Sequence, residues 1–352
     1  MDLKRIIENI TCLDEKSMES ARKRWASIAK PLNSLGLLEG AIVKIAGITQ
    51  NTKIDLSKKA VVVMCADNGV VAEGVTQSGQ EVTAIVAENL TKGITSVCTM
   101  GKVAGADIIP VDIGVKCPLD IKGIIQRKIK PGTDNMVKGP AMSREEAIEA
   151  ILTGVEVVRL LKNKGYNLIG TGEMGIGNTT TSSAMTAVFL DVEVEEVTGR
   201  GAGLSSEGLN RKINAIKKAI EVNQPDKNDA LDVLSKVGGL DIAGLTGVFL
   251  GGALYHVPIL IDGFISSVAA LTAVKLCPTV KDYLLPSHMS KEPATLKLIE
   301  YLGLDPFIKC NMCLGEGTGT VAVMPILEMA AAVYNNMSTF SEINVEEYKP
   351  LN

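Results

Sequence analysis

The chain has 352 residues, a length that predicts one large domain with an appendage or two domains, and 46% of them are apolar against 22% charged. Its net charge of −4 comes with Lys and Arg scattered singly and 3% aromatics, so no basic stripe with interleaved rings exists to grip DNA or RNA. No apolar run reaches ~18 residues without a Gly, Pro or charged break, which excludes a spanning helix. Seven cysteines at irregular spacing do not make a disulfide framework, and most are expected to be small buried residues.

The opening stretch, MDLKRIIENITCLDEKSMESARKRW, reads as a charged amphipathic helix without a signal-peptide core, so the protein is read as cytoplasmic and Trp25 as a packing anchor. AVVVMCADNG and ADIIPVDIGV follow, each a continuous apolar run ending in polar residues, at Asp67 and Asn68 in the first and Asp112 in the second. SREEAIEAILTGVEVVRLLKNKG is a helix that opens on a capping box, Ser143 with Glu146, and stops at Gly165. NLIGTGEMG is a third run, followed by the helical TTTSSAMTAVFL, and VPILIDGF is a fourth, ending at Asp262. Short buried strands that feed polar loops and helices are repeated βα units, which predicts an α/β fold with a Rossmann-like parallel sheet flanked by helices. Residues 41–286 are expected to form the large α/β domain. Residues 1–40 and 287–352, helical and without strand runs, are expected to form a smaller unit. Ligands of such sheets sit beyond the carboxyl ends of the strands, which marks Asp67, Asn68, Asp112, Glu173 and Asp262.

GTGEMGIGNTTTSSA, residues 170–184, is the densest polar stretch. Gly170, Gly172 and Gly175 fit G-x-G-x-x-G with Asp191 about 21 residues on, a dinucleotide-binding fingerprint. LDVEVEEVTGRG is too charged for the second buried strand that this fingerprint needs, so the preferred reading is different. Gly175 to Thr180 offer N–H groups and hydroxyls to a phosphate at a helix start, and a tight turn without ligand is the remaining alternative. No Gly-Lys-Ser or Gly-Lys-Thr is present, which removes the support for a Walker loop. LGEGTGT sets the lone carboxylate of Glu316 between glycines, an arrangement that suits a general base as well as a solvated loop residue. CNMC, Cys310 to Cys313, has no second pair and is read as buried wall. His256 and His288 are read as structural hydrogen-bonding groups.

PSHMSKEPA, GRGAGL, QPDKNDALDVLSKVGGLDIAGLTGV, LIDGF, GPAMSREEA and LGEGTGT together resemble the nicotinate-nucleotide:dimethylbenzimidazole phosphoribosyltransferase family, over about residues 15–340. The resemblance implies transfer of 5-phosphoribose from nicotinate mononucleotide to an aromatic base in cobamide assembly, by a single inverting displacement that yields an α-riboside and nicotinate. It implies Glu316 as general base and Glu173 facing the ribose or the developing positive charge. The phosphate and ribose would lie against Gly175, Gly177, Asn178, Thr179, Lys212, Asp262 and Ser290, and the acceptor base against Ser78, Val86, Met174, Met312 and Leu314. No metal or cofactor is expected. A homodimer, or a heterodimer with a homologous subunit, is implied. KPLNSLGLLE departs from the family's KPPGSLGRLE, Asn68 replaces a common His, and Val86 stands where some members carry Gln. The last change predicts relaxed acceptor choice that extends to phenols or purines. A catalytically weak partner subunit is the runner-up reading, and a dinucleotide-binding oxidoreductase comes third.

Overall fold

The computed structural model describes residues 2–119 and 121–348. Three helices open the chain, α1 (Leu3–Asn9), α2 (Glu15–Ser27) and α3 (Leu37–Thr49), before β1 (Lys59–Ala66). Then come α4 (Glu81–Lys92), α5 (Ser96–Ala104), β2 (Ala106–Gly114), β3 (Ile125–Gln126), α6 (Arg144–Asn163), β4 (Leu168–Met174), α7 (Asn178–Leu190), α8 (Val194–Val197) and α9 (Ser206–Asn223). The last part holds α10 (Ala230–Val237), α11 (Leu240–Tyr255), β5 (Ile259–Ile261), α12 (Gly263–Leu276), β6 (Leu284–Pro286), α13 (Ala294–Leu302) and α14 (Thr318–Asn336).

All six strands are parallel, in the order β3-β2-β1-β4-β5-β6, the strand order of Rossmann-type sheets. The four apolar runs became β1, β2, β4 and β5. Strands β3 and β6 hold two and three residues, too short to form a run. The chain builds outward from β1 to β3 and then returns to place β4 on the other side of β1. That reversal opens a crevice at the carboxyl ends of the strands, where neighbouring connections leave in opposite directions.

Every residue of β1 is buried, because both faces are covered. Ala60, Val62 and Met64 face one core with α6 and α11, and Val61, Val63 and Cys65 face a second core with α3 and α14. Helices α6 and α11 touch backbone to backbone, since a Cβ on Gly247 would stand 1.9 Å from the Ile151 carbonyl oxygen. The capping box of Ser143 and Glu146 is present at the start of α6, and Gly165 follows its end at φ 84°. Segments from the two ends of the chain meet in the second core. Trp25 packs edge-on against Tyr334 with centroids 5.2 Å apart, and Arg24 donates to the Tyr334 and Met337 carbonyls. Leu3 and Ile6 of α1 join the first core instead.

The cysteines depart from expectation: Cys65, Cys98 and Cys277 are buried, but Cys12, Cys117, Cys310 and Cys313 are exposed. No described helix is long and apolar enough to cross a membrane.

Candidate active site

One pocket collects the loops beyond β4, β5 and β6. Glu173 to Thr179, Asp262 to Ser266 and the stretch His288 to Glu292 supply three of its walls, closed by residues 75–78, 200–204 and Cys313 to Glu316. The parallel sheet thus brings together side chains more than a hundred residues apart in sequence.

Glu316 sits in a backbone conformation that its neighbours must enforce. Gly315, Glu316 and Gly317 have φ of 89°, 60° and 93°, three left-handed residues in succession, and a non-glycine residue there is strained by roughly 1–3 kcal/mol. Asp262 is the clamp: its carboxylate accepts from the Gly317 N–H at 3.1 Å and the Gly319 N–H at 2.8 Å, at the start of α14. Thr318 and Thr320 add hydroxyl bonds to the Gly315 and Gly317 carbonyls. The loop then lies flat on β4, which explains two of the glycines in the GTGEMG stretch. A Cβ on Gly172 would stand 2.5 Å from the Glu316 carbonyl oxygen, and one on Gly170 would stand 2.3 Å from the Thr320 hydroxyl. Gly172 admits a neighbouring backbone and Gly170 the Thr320 side chain, so both are used by the protein's own packing. The Glu316 carboxylate itself accepts from the Val97 N–H at 3.2 Å, in the first turn of α5.

Glu173 and Asp262 are buried beside Glu316, and Asp241 is buried next to Glu173. Burial pushes Glu173 up to about 8, the charge of Asp241 adds to the shift, and a bond from Asn178 opposes it. The Asn178 amide donates to both Glu173 and, at 3.0 Å, to Asp241. Burial also raises Asp241 to about 6 and Asp262 to about 7, the latter against the pull of its backbone N–H donors. Glu173 is therefore largely a neutral acid at pH 7. Positive charge that develops beside it favours its ionised form. His288 lies 3.7 Å from Asp262, bonds to Ser287 at 3.1 Å, and is held down by burial.

The other end of the pocket suits an anion. Gly177, at φ 95°, precedes α7 and leaves its N-terminus facing the cavity. Lys212, 1% exposed, reaches the same place from α9 and donates to the Thr179 hydroxyl at 2.8 Å and the Gly199 carbonyl at 3.1 Å. Burial pushes its pKa down to about 8. A helix N-terminus, a buried ammonium and the hydroxyls of Thr179 and Ser290 thus share one part of the pocket, an arrangement with the charge and donors to hold an anion.

The structure brings Glu316, Glu173, Gly175, Gly177, Asn178, Thr179, Lys212, Asp262, Ser290, Ser78, Met174 and Leu314 to this one cavity. Val86 and Met312 are not among its walls. Val86 lies half-buried on α4, the helix whose Thr83 hydroxyl accepts from the N–H of Ile176 on the pocket wall. Gln77 and Ser78 supply polar groups on that wall, and Gln77 is bonded to the Gly203 carbonyl across the mouth. Cys310 and Cys313 are exposed and not a buried wall, although Cys313 borders the cavity. Asn68 is buried, donating to the Ile176 carbonyl at 3.4 Å and accepting from Gln80 at its own backbone carbonyl. Asp191, the acidic residue of the supposed fingerprint, caps the far end of α7 and pairs with Lys227 at 2.8 Å. A helix of 13 residues separates it from the loop by about 20 Å, which removes the dinucleotide reading.

The phosphoribosyltransferase family model DBI_PRT matches residues 10–345. The chain belongs to this phosphoribosyltransferase family. It is 52% identical over 344 residues to the nicotinate-nucleotide–dimethylbenzimidazole phosphoribosyltransferase of Acetivibrio thermocellus, covering 98% of each chain. The enzyme of the same name from Ruminiclostridium cellulolyticum is 49% identical over 351 residues, covering both chains fully. The crystal structure of CobT from Thermus thermophilus has a TM-score of 0.89 at 38% identity, over 95% of this chain and all of that one.

As a phosphoribosyltransferase the protein is an enzyme of the pentosyltransferase class, and its pocket has the two ends that such a transfer needs. Sequence reading missed Asp241, Arg200 and Glu292. An aspartate that follows Gly238 and Gly239 just ahead of an apolar helix was the only available signal for Asp241. Among the described residues no group of three or more His, Cys, Asp or Glu side chains is arranged to hold a metal ion.

Proposed function

We propose that the enzyme transfers the 5-phosphoribosyl group of nicotinate mononucleotide to an aromatic nitrogen base of the dimethylbenzimidazole type. The products are nicotinate and the α-riboside 5′-phosphate used in cobamide assembly. One observation carries this reading: a single cavity is lined by a buried Lys212, by the α7 N-terminus and by the carboxyls of Glu173 and Glu316. The phosphate anchors the substrate, and the anomeric carbon then lies among the carboxyls.

The glycosidic bond breaks with its electron pair going to the nicotinate ring nitrogen, which leaves as a neutral pyridine nitrogen. The ribosyl carbon becomes cation-like, and its charge draws Glu173 beside it toward the ionised form, which stabilises that charge. A ring nitrogen of the acceptor attacks from the opposite face and inverts the centre. Its second ring nitrogen loses a proton to Glu316, whose left-handed loop holds the carboxylate in place before the base arrives. A base so placed contributes roughly 10²–10⁴ in rate. Binding energy from the remote phosphate keeps the reacting carbon in position.

Gln77, Ser78 and Met174 line the acceptor wall, a mixture that suits a nitrogen heterocycle with one apolar face. The enzyme operates in the cytoplasm as a homodimer or beside a homologous subunit, a reading supported by the family resemblance and tested by sedimentation of the isolated chain. Incubation with nicotinate mononucleotide and dimethylbenzimidazole, followed by mass analysis, tests the function. Equal amounts of nicotinate and the riboside phosphate are expected. Failure to release nicotinate with any of a panel of heterocyclic acceptors would overturn the proposal.

A further inference from the structure

Glu292 lies between β6 and α13, on the cavity wall that also carries Lys212 and Ser290. Its Oε2 atom is buried and has no hydrogen-bond partner among the described residues. A buried carboxylate oxygen left in that state costs roughly 1–3 kcal/mol until a donor reaches the carboxylate. Burial raises the Glu292 pKa, and the attraction of Lys212 opposes the shift.

The fold makes room for this oxygen. Oε2 packs against Gly199, where a Cβ would stand 1.9 Å from it and turn the carboxylate out of this position. The chain on either side is fixed, with the Glu292 N–H donating to the Ser290 hydroxyl at 3.3 Å and the Lys291 N–H to the Met312 carbonyl at 3.0 Å. A phosphate cannot satisfy the oxygen, because it offers acceptors and like charge. The missing partner must be an O–H or N–H donor. In a sugar phosphate anchored at Lys212 with its anomeric carbon among Glu173 and Glu316, the donors between the two ends are the vicinal hydroxyls of the ribose.

We propose that the Glu292 carboxylate accepts hydrogen bonds from the ribose 2′- or 3′-hydroxyl and so selects ribosyl over deoxyribosyl phosphates. This rests on the ribosyl-transfer reading of the pocket. Hydroxyl donors also restore the ionised carboxylate that burial disfavours.

The test is calorimetric binding of nicotinate mononucleotide, its 2′-deoxy and 3′-deoxy analogues, and inorganic sulfate, to the parent, Glu292→Gln and Glu292→Ala. Sulfate probes the Lys212 end and reports that each variant is folded; it should bind as well as to the parent or more tightly. Glu292→Ala should weaken nicotinate mononucleotide about 10- to 150-fold, the range for a bond to a charged group. Glu292→Gln, which keeps one acceptor oxygen, should weaken it less. With the analogue that lacks the contacting hydroxyl, both substitutions should change affinity less than about 2-fold, since the interaction is already gone. Equal loss for all three nucleotides, or no loss for nicotinate mononucleotide, would overturn the assignment. Binding needs no turnover, so the pattern decides on Glu292 even if the parent fails to release nicotinate, a failure that would count against the transferase reading alone.

Discussion

Replacing Glu173 by Gln should flatten the dependence of stability on pH in a defined window. The Glu173 carboxyl stands at 4.5 in a free chain and is pushed up to about 8 in the folded one. Between those values the native state holds a proton that the unfolded state has lost. Its stabilising contribution is thus complete below the unfolded value and is lost as pH rises through about 8. A proton bound only by the native chain changes stability by about 1.4 kcal/mol per pH unit. Going from about pH 6.5, where Glu173 is almost fully protonated, to about pH 8, where it is half protonated, the loss from this group is about 1.5 kcal/mol. Asp262, raised to about 7, adds a loss of the same sign in the lower part of the window. The opposing groups, His256 and His288 depressed from 6.5 and Lys212 depressed to about 8, titrate at the edges of the window in both proteins and cancel in the comparison. Gln at position 173 keeps an acceptor for Asn178 and removes the titration. Urea unfolding of both proteins at the two pH values is the assay, and the parent should lose about 1.5 kcal/mol more than the variant. Equal losses would refute the buried, proton-holding Glu173 described above.

Lys212→Ala should weaken nicotinate mononucleotide about 10- to 150-fold by calorimetry and leave the acceptor's affinity nearly unchanged, because the ammonium serves only the anion. Asp262→Asn leaves one of the Gly317 and Gly319 N–H groups facing an amide NH₂, so kcat should fall with the nucleotide's affinity almost intact. A parallel fall in affinity would instead make Asp262 a ribose ligand. Gly172→Ala drives a methyl group to within 2.5 Å of the Glu316 carbonyl oxygen, which should lower both kcat and, by about 1–3 kcal/mol, the stability measured in urea.

The strand runs were legible because a parallel sheet buried on both faces demands unbroken apolar residues, as β1 shows at every position. Strands of two or three residues leave no such trace, and β3 and β6 were missed for that reason. Glu316 and the loop at Gly175 to Thr179 stood out because glycine and polar residues there interrupt regular patterns. Gly170 and Gly172 misled for the same reason: sequence records that something packs closely, and the approaching groups, the Glu316 backbone and the Thr320 side chain, lie far away in sequence. Glu292 carried no local signal, since its buried, unsatisfied oxygen exists only once α9, Gly199 and the β6 loop have packed together.

The most direct test of the account is single-turnover release of nicotinate by Glu316→Gln, with a saturating heterocyclic acceptor and with nucleotide affinity measured alongside. Glu316 touches the anion end at no point, and its amide replacement keeps the oxygen that accepts from Val97. The chemical step should slow by roughly 10²–10⁴-fold while nicotinate mononucleotide binds within about 2-fold of the parent. A release rate within a few-fold of the parent would contradict Glu316 as the base.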